Sequence, residues 1–192
     1  DITAASSAPF DRDGILNAFR ERIPAAELVV CTHVSNVFGF ILPVYEIAEM
    51  CRGAGVPFIL DASQAAGVLE VDYQALGAAF IAMPGHKALF GPPGTGILIC
   101  GTEGEPLLSG GSGSDSIPQL MPEYLPDRME AGTHNVPGIA GLSEGISYVR
   151  SRGLRSIAAH EGRMLETMLD GLDGCAGLEI FRGAAGTQSG VL

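Results

Sequence analysis

Three short segments carry the side chains best able to do chemistry. Asp61 closes an apolar run and has Gln64 three residues on. His86 and Lys87 follow a second apolar run, and Ser35 and Asn36 follow a third. If these runs are strands of one open α/β sheet, their carboxyl ends share an edge, and ligand sites lie just outside such edges. An acid, an amide, an imidazole and an amine brought to one place make a polar site in which each group biases the others' protonation. Each residue also has a plainer reading. Asp61 would be a helix cap, Asn36 a turn residue, His86 a loop histidine with its hydrogen bonds met, and Lys87 half of an ion pair. Spacing alone leaves both readings open.

One glycine-rich stretch invites a wrong answer. Gly91-Pro92-Pro93-Gly94-Thr95-Gly96 has the glycine skeleton of a phosphate-binding P-loop. That loop needs Lys and then Ser or Thr next, and it opens a helix. Here Ile97 and Leu98 follow and begin a strand-like run. The nucleotide reading fails on chemistry and on context.

The elements that must position these groups alternate along the chain. Asp11 or Asp13 can cap a helix through Leu16, Phe19 and Ile23 that stops near Pro24. Leu28-Val29-Val30-Cys31-Thr32 is continuously apolar and β-branched, as in a strand buried on both faces. Pro43 opens a helix with Ile47, Met50 and Cys51 on one side, closed by Gly53 and Gly55. Phe58-Ile59-Leu60 is the next strand, and a short helical stretch is expected after Ser63. Ala79-Phe80-Ile81-Ala82-Met83 and Gly96-Ile97-Leu98-Ile99-Cys100 are two more strands. The connection between them is too short for a parallel crossover, so that pair should be antiparallel. Residues 101–126 are rich in Gly, Ser and Pro and read as a long loop, a kind usually kept for function. Helices are expected through Ile139, Leu142, Ile146 and Val149, and from about Leu154 to Leu172; Leu178-Glu179-Ile180-Phe181 reads as the start of a strand. The pattern is α/β.

Bulk properties narrow the function classes. The chain has 192 residues, 46% hydrophobic, with 27 Gly and 12 Pro, a globular composition. Net charge is −11 with no run of Lys or Arg, so the electrostatic footprint for nucleic acid or an anionic membrane is missing. No apolar stretch reaches transmembrane length, and no signal peptide is visible at Asp1-Ile2-Thr3-Ala4. Cys31, Cys51, Cys100 and Cys175 are far apart with no C-x-x-C pair. They read as free thiols of a cytoplasmic protein, and no metal site is expected.

The residues themselves resemble a family. Ser35-Asn36-Val37-Phe38-Gly39 is similar to an S-N-x-x-G segment of the class V aminotransferase and cysteine desulfurase family, and Asp61-Ala62-Ser63-Gln64 to its D-x-x-Q. Gly85-His86-Lys87, with Gly91-Pro92 and Gly94-Thr95-Gly96 behind it, resembles its lysine loop. Glu130-Ala131-Gly132-Thr133-His134-Asn135 resembles its E-[SA]-G-T-P-N. Four ordered motifs cover most of the chain from Val29 to Gly145, a specific signal where one alone would be weak. The resemblance implies a three-layer α/β large domain of fold type I with a mostly parallel sheet, one antiparallel strand, and pyridoxal 5'-phosphate (PLP) as cofactor.

It also implies roles. Lys87 would be the Schiff-base lysine and then the base that moves the substrate α-proton. Asp61 would face the pyridine nitrogen and keep it protonated. Gln64 and Asn36 would hydrogen-bond the phenolic oxygen, and His86 would contact the phosphate. Gly111 and Ser112 would reach the phosphate of a second subunit, in a homodimer with the site at the interface. The implied reaction is C–S cleavage of cysteine or selenocysteine to alanine and a persulfide, with a sulfur-acceptor protein as a partner. Transamination of serine with a 2-oxo acid and a catalytically inactive dimer scaffold are the alternatives.

Two positions depart from the pattern. Pro84 stands where the family commonly has a phosphate-contacting Ser, and Pro offers neither hydroxyl nor N–H. His134 replaces a usual Pro. Residues 1–145 are expected to be the PLP-binding domain without its first strand, and residues 146–192 connecting helices and the start of a small domain. Both ends read as cut. The family's carboxylate-binding Arg and sulfur-accepting Cys are not identifiable in the chain, which alone is expected not to turn over.

Overall fold

The computed structural model describes residues 10–113, 117, 120–184 and 186–191. Four apolar runs form one sheet: β1 (Val29–Thr32), β2 (Phe58–Asp61), β3 (Phe80–Pro84) and β4 (Gly96–Cys100). Their spatial order is β1-β2-β3-β4. β1, β2 and β3 run parallel, with Val30 opposite Ile59 and Leu60 opposite Ile81, while β4 returns antiparallel to β3. The short connection between β3 and β4 permits only that hand-back.

The helices follow local chemistry. In α1 (Arg12–Arg22), Asp11 accepts a hydrogen bond from Gly14 N and caps the first turn. α2 (Val44–Ala54) begins after Pro43 and ends at Gly55, whose φ of 68° is the left-handed stop that glycine provides. α3 (Tyr73–Leu76) is a single turn capped by Asp72. α4 (Val136–Arg152) and α5 (Leu154–Leu172) follow the long loop.

α1 and α2 cover one face of the sheet. Leu16, Phe19, Ile47 and Cys51 meet Cys31, Leu60 and Ile81 in the core. Leu142 of α4 joins the same core, and Ile146 packs against it. Residue 145 thus falls inside α4.

Three expectations need correction. The run at β1 is covered on one face only, since Val30 is 63% exposed and the described residues leave that side open. The stretch after Ser63 is a series of turns, and the short helix lies further on at α3. Residues 178–181 form no strand. An apolar run becomes a strand only where a free strand edge meets it, and Phe181 instead lays its ring against Phe38 at 5.4 Å between centroids. Cys31 and Cys51 are buried, Cys100 half-buried and Cys175 exposed, all as free thiols.

Candidate functional site

Because β1, β2 and β3 are parallel, Thr32, Asp61 and Pro84 finish at one edge of the sheet. All three candidate segments therefore leave from that edge. Beyond β1, His33 N donates to Asp61 O at 2.9 Å and prolongs the ladder by one rung. The chain then turns sharply. Ser35 N donates to Phe40 O and Ser35 O accepts from Gly39 N, while Ser35 Oγ accepts from Val37 N and Phe38 N. Asn36 sits exposed at the tip of this turn.

Asp61 is half-buried, and its Oδ1 accepts from Ser63 N at 2.9 Å. That side-chain turn competes with helix formation, which is why the alanines that follow do not extend into a helix. Ala65 N and Ala66 N both return to Ala62 O, leaving Gln64 half-buried in the bend. Gly67 then takes a φ of 94°, and a Cβ there would collide with the Ala88 carbonyl. Only glycine lets the Asp61–Gln64 bend lie directly on the loop that carries Lys87.

The lysine loop is closed by its own backbone. Gly85 N donates to Thr95 O and Gly91 N to Gly85 O, both at 2.8 Å, and Phe90 N donates to Lys87 O at 2.9 Å. Phe90 has a φ of 56°, a left-handed conformation costing on the order of 1 kcal/mol for a non-glycine. Its ring packs edge-on against Tyr148 of α4 at 5.3 Å, one contact that holds it there. Leu89 is buried as the loop's anchor, while Lys87 is half-exposed and His86 exposed. Pro84 pairs with Gly96 at the end of β3, so the missing N–H is passed over and Gly85 makes the next bond.

Other candidates lie around this edge. Asn135 caps α4 by accepting from Gly138 N at 3.1 Å. His134 Nε2 lies 3.0 Å from Glu130 Oε2, an ion-pair distance without hydrogen-bond geometry. Gly111 is exposed and its carbonyl accepts from Gly132 N, whereas Ser112 is buried. A cleft of about 590 Å³ is lined by Ser63, Pro84, Gly96, Met129 and Glu130. Its lining includes neighbours of Gln64 and Gly85, but not Asp61, Gln64, His86 or Lys87 themselves.

Two buried groups lie behind the edge: His33, which was not singled out from sequence, and Cys31, which was read there only as a free thiol. His33 is 4% exposed, its Nδ1 has no hydrogen-bond partner among the described residues, and burial holds its pKa down at about 4. Its ring stands edge-on to Tyr45. Cys31 is pushed up to about 12 by burial, with Cys51 and Asp61 adding repulsion. A thiol held that firmly protonated is a poor nucleophile. Gly67 was missed as well, though it stands three residues after Gln64.

A family model described as aminotransferase class-V matches residues 6–192. The chain belongs to the class-V aminotransferase family. Among its class-V relatives, a probable cysteine desulfurase of Methanothermobacter thermautotrophicus is 38% identical over 160 residues, 80% of this chain and 40% of that protein. A cysteine desulfurase of Serratia proteamaculans is 34% identical over 90% of this chain and 45% of its own length. The apo structure of a cysteine desulfurase from Thermococcus onnurineus superposes with a TM-score of 0.77 at 32% identity, covering 91% of this chain and 45% of that one. The chain thus spans less than half the length of these class-V relatives, and it shares their mixed α/β fold.

Proposed function

We propose that this chain is the cofactor-bearing segment of a PLP-dependent cysteine desulfurase. The observation that carries the reading is the contact of the Asp61–Gln64 bend with the Lys87 loop across Gly67. It sets a carboxylate, an amide, an imidazole and an amine on adjoining loops at one sheet edge, the donor set that PLP requires. The names carried by relatives such as that of Serratia proteamaculans support the choice of substrate.

Bound PLP would supply an electron sink for the negative charge that develops at the substrate α-carbon. Lys87 Nζ would hold the cofactor through its aldehyde carbon and would serve as the base for the substrate α-proton. Asp61 would keep a proton on the ring nitrogen through Oδ2, while Oδ1 is occupied by Ser63 N. Gln64 and Asn36 would orient the phenolic oxygen, and His86 would meet the phosphate. In the net reaction the C–S bond of cysteine breaks, its sulfur passes to an acceptor thiol as a persulfide, and alanine leaves with the thiol's proton. The buried Cys31 is no such acceptor. We further propose a cytoplasmic homodimer with Gly111 and Ser112 near the subunit boundary, and a sulfur-acceptor protein as partner.

Borohydride reduction of the protein in the presence of PLP, followed by peptide mapping, tests this reading. A pyridoxyl adduct on the peptide containing Lys87, lost in Lys87→Ala, is the expected result. Folded protein with excess cofactor and no adduct at Lys87 would overturn it.

A further inference from the structure

The turn that presents Asn36 is held from two sides. On its near side Ser35 Oγ binds Val37 N and Phe38 N. On its far side lies a segment almost 150 residues away in sequence. Ile41 N donates to Thr187 O and Ser189 N to Gly39 O, both at 2.8 Å, so Gln188 pairs antiparallel with Phe40. The Gln188 amide completes the strap. Its Nε2 donates to Phe38 O at 3.3 Å and to Val191 O at 3.1 Å, and its Oε1 accepts from Gly183 N at 2.9 Å.

The glycine of the turn fits this arrangement. Gly39 has a φ of 68°, and a Cβ there would collide with the Val191 carbonyl. Residue 39 is therefore glycine for two reasons, the bend of the turn and the close approach of the strap. Phe38 and Phe40 stack at 5.6 Å, and Phe181 covers Phe38 from the strap's own side. The strap's contacts with the turn all fall on residues 38–41, within five positions of Asn36.

We infer that Gln188 is a positioning residue for Asn36: its amide fixes the far half of the turn and so sets where the Asn36 side chain reaches. The inference rests on the proposed contact between Asn36 and the cofactor. Misplacing a contacting group by a fraction of an ångström weakens its bond without removing it, so the effect should appear in the bound cofactor's spectrum.

The test titrates the protein with PLP and reads affinity, the visible absorbance maximum and Tm. The variants are Gln188→Ala, Gln188→Glu, Asn36→Ala and the Asn36→Ala/Gln188→Ala pair. Gln188→Ala should weaken PLP binding roughly 3- to 10-fold, the effect of about one net hydrogen bond. It should move the absorbance maximum in the same direction as Asn36→Ala. The double variant should bind no more weakly than Asn36→Ala alone, because the two act through one contact. Gln188→Glu keeps an acceptor for Gly183 N but sets a carboxylate against two carbonyl oxygens, so it should shift the spectrum further and serves if the alanine variant does not fold. A lower Tm with unchanged affinity and spectrum would overturn the inference, as would effects that add in the double variant. An unchanged spectrum in Asn36→Ala would overturn it too, while leaving PLP on Lys87 intact. Folded wild-type protein that shows no cofactor absorbance would overturn the proposed function itself, and this inference with it.

Discussion

The sheet edge and the long loop of residues 101–126 solve opposite problems. At the edge, Asp61, Gly85, Lys87 and Gly91 are tied by short backbone bonds to neighbours in the same chain. Glycines at 67 and 85 bring the loops closer than any side chain would allow. The long loop is pinned at a few points, where Arg128 Nε donates to Gly104 O and Gly132 N to Gly111 O. Between them its apolar side chains face outward: Leu107 is 96%, Ile117 94% and Leu120 83% exposed. Apolar side chains exposed in such density are the kind of surface that a partner would cover in the proposed homodimer. The edge is organised by this chain's own packing, whereas the described part of the loop leaves Leu107, Ile117 and Leu120 uncovered.

The strongest way to break the edge is to fill its tightest point. Gly67→Ala puts a Cβ into the Ala88 carbonyl at a φ no L-residue favours. We expect a loss of about 3 kcal/mol or more, from steric conflict and backbone strain together. Borohydride labelling of Lys87 should fall with it, because the bend carrying Asp61 must move away. Urea unfolding read beside the labelling checks this. A variant as stable as wild type would mean that the two loops are not locked to each other.

The legibility of these regions from sequence divides along the same line. The strands were readable because β-branched apolar runs bounded by Gly, Pro and Asp have few alternatives, and the antiparallel pair followed from a loop too short to cross over. The edge residues were readable because strand ends in a parallel sheet must share a side. The bend after Ser63 was not. Ala65 and Ala66 favour helix, and the local Asp61–Ser63 side-chain bond together with the tertiary Gly67 contact overrides them. The strap at Gln188 carried no signal at all. Thr187-Gln188-Ser189-Gly190 is polar without alternation, and it pairs because the edge of the Asn36 turn is open to it. Leu178-Glu179-Ile180-Phe181 had the better pattern and no edge to join. For the site, residue type and order were legible, while the glycine contacts that bring the pieces together were not.

Acid should loosen the edge from behind. His33 is folded with a pKa near 4, below its ordinary 6.5, because burial disfavours the imidazolium. The unfolded chain therefore binds more protons than the folded one between those values, and stability falls as pH drops through that window. Between pH 7 and pH 5 the linkage amounts to about 2 kcal/mol. His33→Phe keeps a ring against Tyr45 and removes both the titration and the unpartnered Nδ1. Urea unfolding at the two pH values should show the wild type losing about 2 kcal/mol more than the variant. Equal losses would place the acid sensitivity elsewhere.

The smallest effect on folding belongs to the loop, and it sharpens the contrast most. Leu107 and Leu108 are exposed, so replacing both with Ser should change the stability of an isolated chain by no more than about 0.5 kcal/mol. If their surface is covered by a second copy, as proposed, the same change removes apolar burial of about 1.5–3 kcal/mol per leucine from the interface. Sedimentation at micromolar concentration should then show dimer giving way to monomer, with the Lys87 adduct still formed on whatever cofactor the monomer retains. Lost stability with unchanged mass would mean that the leucines pack on their own chain. That outcome would leave the loop as self-contained as the edge, and the division between the two regions would disappear.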